Sequence, residues 1–150
     1  MKATERLKVQ HEQLMAIFDE IEFTADMPER IRLAGHLAER IKAHTAVEEE
    51  VFYPALETLG PEEAGHLVKE ALEAHRAADA LLDELLGSEL SPTAVNVLRS
   101  AIEAHIAEEE ARLFPLAEQL GEATLTRLGV RIDRFTQDLD DEDESVFVSP

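Results

Sequence analysis

Two stretches of this chain follow one pattern. HTAVEEEVFYP runs from His44 to Pro54 and HIAEEEARLFP from His105 to Pro115. Each opens on a His, places a Glu four residues later inside a run of three Glu, and ends in an aromatic residue followed by Pro. Four residues advance an α-helix by about 400°, so His44 and Glu48, and likewise His105 and Glu109, point the same way one turn apart. That is the spacing of two ligands to one ion. A chain that carries it twice needs helices long enough to bring both pairs to a common centre.

The apolar residues supply such helices. Leu7, Leu14, Ile17, Phe18 and Ile21 predict an amphipathic helix over about 2–24, with His11 in the gap of its stripe and Met15 one turn later. Asp26 as cap and Pro28 in the first turn open a second helix, about 28–59, whose inward row reads Ile31, Ala34, Leu37, Ile41, His44, Glu48, Val51, Ala55 and Leu59. Pro54 predicts a bend in it near Glu50. A third helix, about 61–87, turns Val68, Ala71, Leu72, His75, Asp79, Leu82 and Leu86 inward. A fourth, about 91–120 and capped by Ser91-Pro92, presents Val95, Leu98, Ile102, His105, Glu109, Leu113, Leu116 and Leu120. Leu125, Leu128, Ile132, Phe135 and Leu139 mark a shorter helix over about 122–139 without His, suited to covering an end or side of the others or to a dimer contact. The acidic run from Asp140 reads as a disordered tail over 140–150. Residues 1–139 are thus expected to form one all-α domain: an antiparallel up-down four-helix bundle with an additional short C-terminal helix. The first two helices resemble the third and fourth, which predicts a pseudo-twofold arrangement.

Charge and composition narrow the partners. With 33 acidic against 14 basic residues the net charge is -19, which opposes nucleic acid and anionic membranes and suits cations. The absence of Cys leaves nitrogen and oxygen as the available metal donors, apart from thioether. The N-terminus has no signal-peptide core, and no run approaches the ~18 apolar residues of a membrane span. The expectation is a cytoplasmic protein, monomer or homodimer.

Burying His11, His44, Glu48, His75, Asp79, His105 and Glu109 is costly without a compensating partner, and a metal provides one. Iron, manganese or zinc accepts these donors, and four His with two or three carboxylates exceed the three or four ligands of one zinc. Two ions fit the count better. The Glu-x-x-His arrangement of ferritin-like bundles does not fit, because Ile41, Leu72 and Ile102 stand three residues before His44, His75 and His105.

Four His on four helices, two of them opening His-x-x-x-Glu and continuing to aromatic-Pro, resemble the hemerythrin-like, His-His-Glu cation-binding domain over about residues 5–120. The resemblance implies a non-haem di-iron centre with an oxo or hydroxo bridge inside the bundle. His11 and His44 would bind one iron, His75 and His105 the other, and Glu48 and Glu109 would bridge them. It implies a small diatomic ligand or peroxide as partner, so that the protein binds, senses or reduces dioxygen, peroxide or nitric oxide. The alternative is an iron storage, delivery or signalling module without turnover. Oxygen-carrying hemerythrins have His-x-x-x-His on the third helix and one more residue between the fourth-helix His and its bridging Asp. This chain has Asp79 and Glu109 instead. Asp79 would then serve as an oxygen ligand, orient His75 or a water, or stay outside, and a carboxylate there shifts the expectation from reversible oxygen carriage toward oxidase-, peroxidase- or catalase-like chemistry or sensing. Met15 is the counterpart of Asp79 in the first half, so the iron on His11 and His44 would have fewer ligands, with the small ligand bound there against Met15 and Phe18.

The remaining His and acidic residues read as bystanders. His36 and His66 lie about 80° and about 180° around their helices from His44 and His75. Glu49, Glu50, Glu108 and Glu110 read as solvated faces. Tyr53, nine residues past His44, is expected to point away from the site.

Overall fold

The computed structural model describes the backbone of residues 1–148 and the side chains of residues 1–142. Ala3–Phe23 forms α1, opened by the Lys2 amide donating to the Glu5 carboxylate at 3.0 Å. Asp26 caps α2 (27–57) by accepting from the Glu29 amide at 3.1 Å, with Pro28 in the first turn. Gly60, at φ 121°, turns the chain into α3 (61–87), since only glycine holds that conformation without strain. Ser91 accepts from the Ala94 amide at 3.1 Å and opens α4 (92–120). Gly121, at φ 87°, leads into α5, Glu122–Val148. No helix among the described residues is long and apolar enough to cross a membrane.

The four long helices form an all-α antiparallel bundle whose core divides into two apolar clusters. One contains Leu7, Val51, Phe52, Leu56, Val68, Leu113 and Leu116; the other Leu14, Phe18, Leu37, Ile41, Leu82, Leu98 and Ile102. His11, between Leu7 and Leu14, and His44, between Ile41 and Val51, fall in the layer that separates them. Arg99 of α4 pairs with Asp19 and Glu22 of α1 and lies over the Phe18 ring, fastening those helices at the second cluster.

α2 and α4 both leave the regular α-helical ladder just ahead of their prolines, in α2 at the place where a bend was expected. Each contains one wide π turn, Glu48–Phe52 and Glu109–Leu113, immediately before the proline-bearing turn. The Tyr53 and Phe114 amides reach back five residues to the Glu48 and Glu109 carbonyls. Pro54 and Pro115 have no N–H to give the carbonyl four residues earlier, and the wide turn accommodates this by taking in an extra residue. Side chains beyond it are rotated relative to an unbroken helix.

α5 lies along α1 and α2. Leu125, Leu128 and Ile132 enter the first apolar cluster, and Arg6 with Asp133, Gln10 with Thr136, and Arg40 with Asp140 pair across the contact. α5 therefore covers a side of the bundle. The acidic stretch expected to be disordered from Asp140 continues this helix to Val148, helped at its start by the Arg40 pair; residues 149–150 lie outside the described residues. Two further expectations shift. Ile31 and Leu86 are exposed, and Leu33 and Leu85 take the buried positions near the bundle end.

Candidate metal centre

The six strongest ligand candidates meet in the layer between the two apolar clusters. His11, His44, Glu48 and Glu109 can present one ligand atom each within 4.8 Å of one another, and Glu48, His75 and His105 form a second such group. Glu48 belongs to both. Its Oε1 lies 3.0 Å from His75 Nε2, 3.3 Å from His44 Nε2 and 3.6 Å from His105 Nε2. Glu109 Oε1 lies 3.0 Å from His11 Nε2, and its Oε2 3.6 Å from His105 Nε2. Each carboxylate thus faces His residues from both halves of the chain.

Both glutamates are completely buried. His11 Nε2, His44 Nε2, Glu48 Oε2 and Glu109 Oε1 are buried without a hydrogen-bond partner, although His11 Nε2 and Glu109 Oε1 are close, because the pair is not aligned as donor and acceptor. Each such atom costs about 1–3 kcal/mol when left unsatisfied. All four belong to residues of the same group, which can present ligand atoms within 4.8 Å of one another. This is the donor set of a metal site: imidazole nitrogens and carboxylate oxygens gathered out of water, where a metal would take the place of the protons they share.

Side chains next to the cluster orient it. His11 Nδ1 lies 2.8 Å from Glu110 Oε2, His75 Nδ1 2.8 Å from Glu49 Oε2, and His44 Nδ1 2.7 Å from Gln10 Oε1. A carboxylate or amide oxygen accepting from Nδ1 fixes the tautomer and leaves Nε2 to face inward. Glu49 and Glu110 follow the two facing glutamates directly, and each serves the His of the opposite half. Both orient a ligand candidate and are more than a solvated face, although Glu49 is exposed, as are Glu50 and Glu108.

Tyr53 is also part of the centre. Its hydroxyl donates to Glu109 Oε2 at 2.7 Å and lies 3.2 Å from both Glu48 Oε1 and His75 Nε2. Nine residues of regular helix would carry it about 180° from His44, but the extra residue of the π turn brings this to about 80°. The aromatic-Pro end of each motif is the signal: Tyr53 stacks on His75, and Phe114, in the matching place, stacks on His11.

Asp79 is exposed and enters neither group. From His75 the inward stripe steps three residues to Ala78, then to Leu82 and Leu85, and turns Asp79 outward. The same step in α1 leads from His11 to Leu14, leaving Met15 beside His11 in a surface cavity with Ile106 and Glu110. Phe18 packs in the second apolar cluster. The apolar wall next to the centre is built instead from Leu14, Ile41, Ala78, Ile102 and Ile106, which with His44, His75 and His105 enclose about 20 Å³, about one water-sized volume. His36 is exposed, and His66, also exposed, pairs with Glu70 at 2.9 Å.

Burial and the neighbouring Glu48 charge push Glu109 up to about 8. Burial works the same way on Glu48, but its pairing with His44 and hydrogen bonds with Glu109, His105 and His11 hold it well below the ordinary carboxylate value. Burial opposes charge on His11 and His75 as well, yet the facing glutamates outweigh it and carry them to about 10 and about 9. His44 is lowered by burial and stays neutral. Burial and the two carboxylates raise the Tyr53 phenol far above its usual range, so it remains a donor.

An antiparallel bundle with histidines and carboxylates gathered at its middle is the architecture of a metal-binding helical bundle. Residues 2–117 match the sequence profile of the Hemerythrin HHE cation binding domain, and the chain belongs to that family. It is also similar to a crystal structure of a hemerythrin HHE cation binding domain-containing protein from Mycobacterium kansasii. The TM-score is 0.84 at 25% identity over 99% of this chain and 94% of that one. The similarity therefore includes α5, which lies beyond the matched profile. No curated protein matches the chain.

Proposed function

We propose that this protein is a non-haem di-iron protein that binds, senses or reduces a small oxidant: dioxygen, peroxide or nitric oxide. The observation that carries this reading is the gathering of four His and two buried carboxylates into two adjoining groups that share Glu48, with four buried atoms among them lacking a hydrogen-bond partner. His11 and His44 would hold one iron, His75 and His105 the second, and Glu48 and Glu109 would span them. Two irons held this way supply redox chemistry toward dioxygen, peroxide or nitric oxide. The chain contributes the surroundings. Glu49, Glu110 and Gln10 hold the imidazoles in one tautomer, and Tyr53 keeps a proton within 2.7 Å of Glu109 Oε2. The small cavity beside His44, His75 and His105 has an apolar wall that suits a diatomic ligand. A storage or delivery module needs an exchangeable site, and the complete burial of Glu48 and Glu109 works against exchange.

Anaerobic reconstitution with ferrous iron tests the reading. Two irons per chain are expected, followed by oxo-to-iron absorption bands on admission of air or peroxide. His44→Ala and His105→Ala should each reduce the iron content. One iron or none in the wild-type protein, unchanged by those substitutions, would overturn the reading.

A further inference from the structure

The two halves of the bundle are alike at the centre and unlike on their outer sides. Gln10, directly before His11, holds His44 Nδ1, and α5 closes over the same groove between α1 and α2 through Arg6, Gln10 and Arg40. What remains there is about 30 Å³. The residue directly before His75 is Ala74, and among the described residues none that lines the corresponding groove between α3 and α4 belongs to α5. That groove has a volume of about 330 Å³, is walled by Ala71, Ala74, Ala101, Ala104 and Leu113, and reaches His105 and Glu109.

We propose that the α3–α4 groove is the route by which a small uncharged ligand reaches the centre, with His105 as its inner end; this rests on the function proposed above. His105 also borders the small apolar cavity, so a single imidazole stands between the groove and that space. Its side chain is 13% exposed, against 2% for His11, 8% for His44 and 5% for His75. The other sizeable opening near a candidate ligand, about 340 Å³ on the α1–α4 face beside His11, is lined by Met15, Ala16 and Ile106 as well as Lys8, Glu12, Asp19 and Glu110, and the last of these is bonded to His11 Nδ1. Both openings carry charged side chains, Glu70, Glu108 and Arg112 in the groove, and the groove is singled out by the four alanines that line it and by ending on the most exposed of the four imidazoles. Arg112, paired with Glu108 and facing Glu70 at 3.8 Å, stands at the mouth from α4 toward α3. The asymmetry of the protein is thus one of access, with one half covered by α5 and the other left open.

The test uses dissolved dioxygen as a paramagnetic probe of the metal-free protein and nitric oxide as the ligand of the iron-loaded one. Oxygen-induced relaxation of the His105 ring protons should exceed that of His44 several-fold. Ala74→Leu and Ala101→Leu should each bring it down to the His44 level, while Ala16→Leu, on the α1–α4 face, should leave it unchanged. In the iron-loaded protein the first two variants should slow nitric oxide association by about tenfold or more at unchanged iron content. Equal relaxation at His44 and His105, or association slowed by Ala16→Leu and not by Ala74→Leu, would overturn the route. A wild-type protein that shows the His105 relaxation, loads iron and takes up no nitric oxide would leave the route standing and remove the function it serves.

Discussion

At Tyr53, a single buried hydroxyl donates to Glu109 and touches the other half of the centre through His75. Tyr53→Phe removes the donor and leaves a carboxylate oxygen without it, so the metal-free protein should lose about 1–2 kcal/mol in urea unfolding; an unchanged midpoint would show that the hydroxyl's contacts contribute nothing. Glu110 and Glu49 allow a paired test. Glu110→Gln weakens the acceptor on His11 Nδ1 and Glu49→Gln that on His75, and each should weaken metal binding by about 10–100-fold in a chelator competition, the range found for groups that orient ligands. His66→Gln, at an exposed pair, should have no such effect. The His and Glu of the centre were legible because helical phase over four residues is insensitive to small errors. Asp79 was misplaced because both i+3 and i+4 from His75 border the inward stripe, and packing around Ala78 and Leu82 decides which one turns in. Tyr53 was misplaced because its phase was counted through an unbroken helix.

At the scale of the helix, the π turns are where local rules and the fold part company. Proline before the last turns of α2 and α4 was visible in the sequence, and a bend was the natural expectation from a missing amide. The wide turn is how the helix meets that deficit, and Phe52, Tyr53 and Leu56 are all buried in the register it sets. α5 shows a second limit. Its amphipathic stripe was legible but its docking face was not, since that depends on an approach no periodicity reports. Gly129 marks the approach, because a Cβ there would run into the Met1 carbonyl. Glycine to alanine inside a helix ordinarily stabilises by about 0.5–1 kcal/mol. At Gly129 the sign should reverse, with Gly129→Ala costing about 1–3 kcal/mol as an overpacked contact does, read as a lowered midpoint in urea. A gain in stability would show that α5 does not bear on the N-terminus in solution.

Over the whole molecule, an excess of acid and a buried layer of His and Glu make proton and metal alternative occupants of one centre. The net charge of -19 pointed to cations from the sequence, but the proton inventory needed the geometry, since it depends on which imidazole faces which carboxylate. In the metal-free protein His11, His75 and Glu109 titrate near 10, 9 and 8, each above its ordinary value. A group whose value is raised by folding contributes most to stability while it is protonated, and that contribution is lost as pH rises through the raised value. For the two histidines the loss runs from about 6.5 to about 10, and for Glu109 it begins lower and runs to about 8. The metal-free midpoint should therefore fall between pH 7 and pH 9.5. Metal replaces those protons, so loading at pH 7 should release on the order of two to three protons per chain, measurable by calorimetry in buffers of different ionisation enthalpy. The loaded protein should then hold its midpoint over the same pH range, because the groups that would have titrated would be held by the metal. A metal-free protein whose midpoint rises toward pH 9.5, or loading without proton release, would mean that these imidazoles are not the acids that the metal displaces.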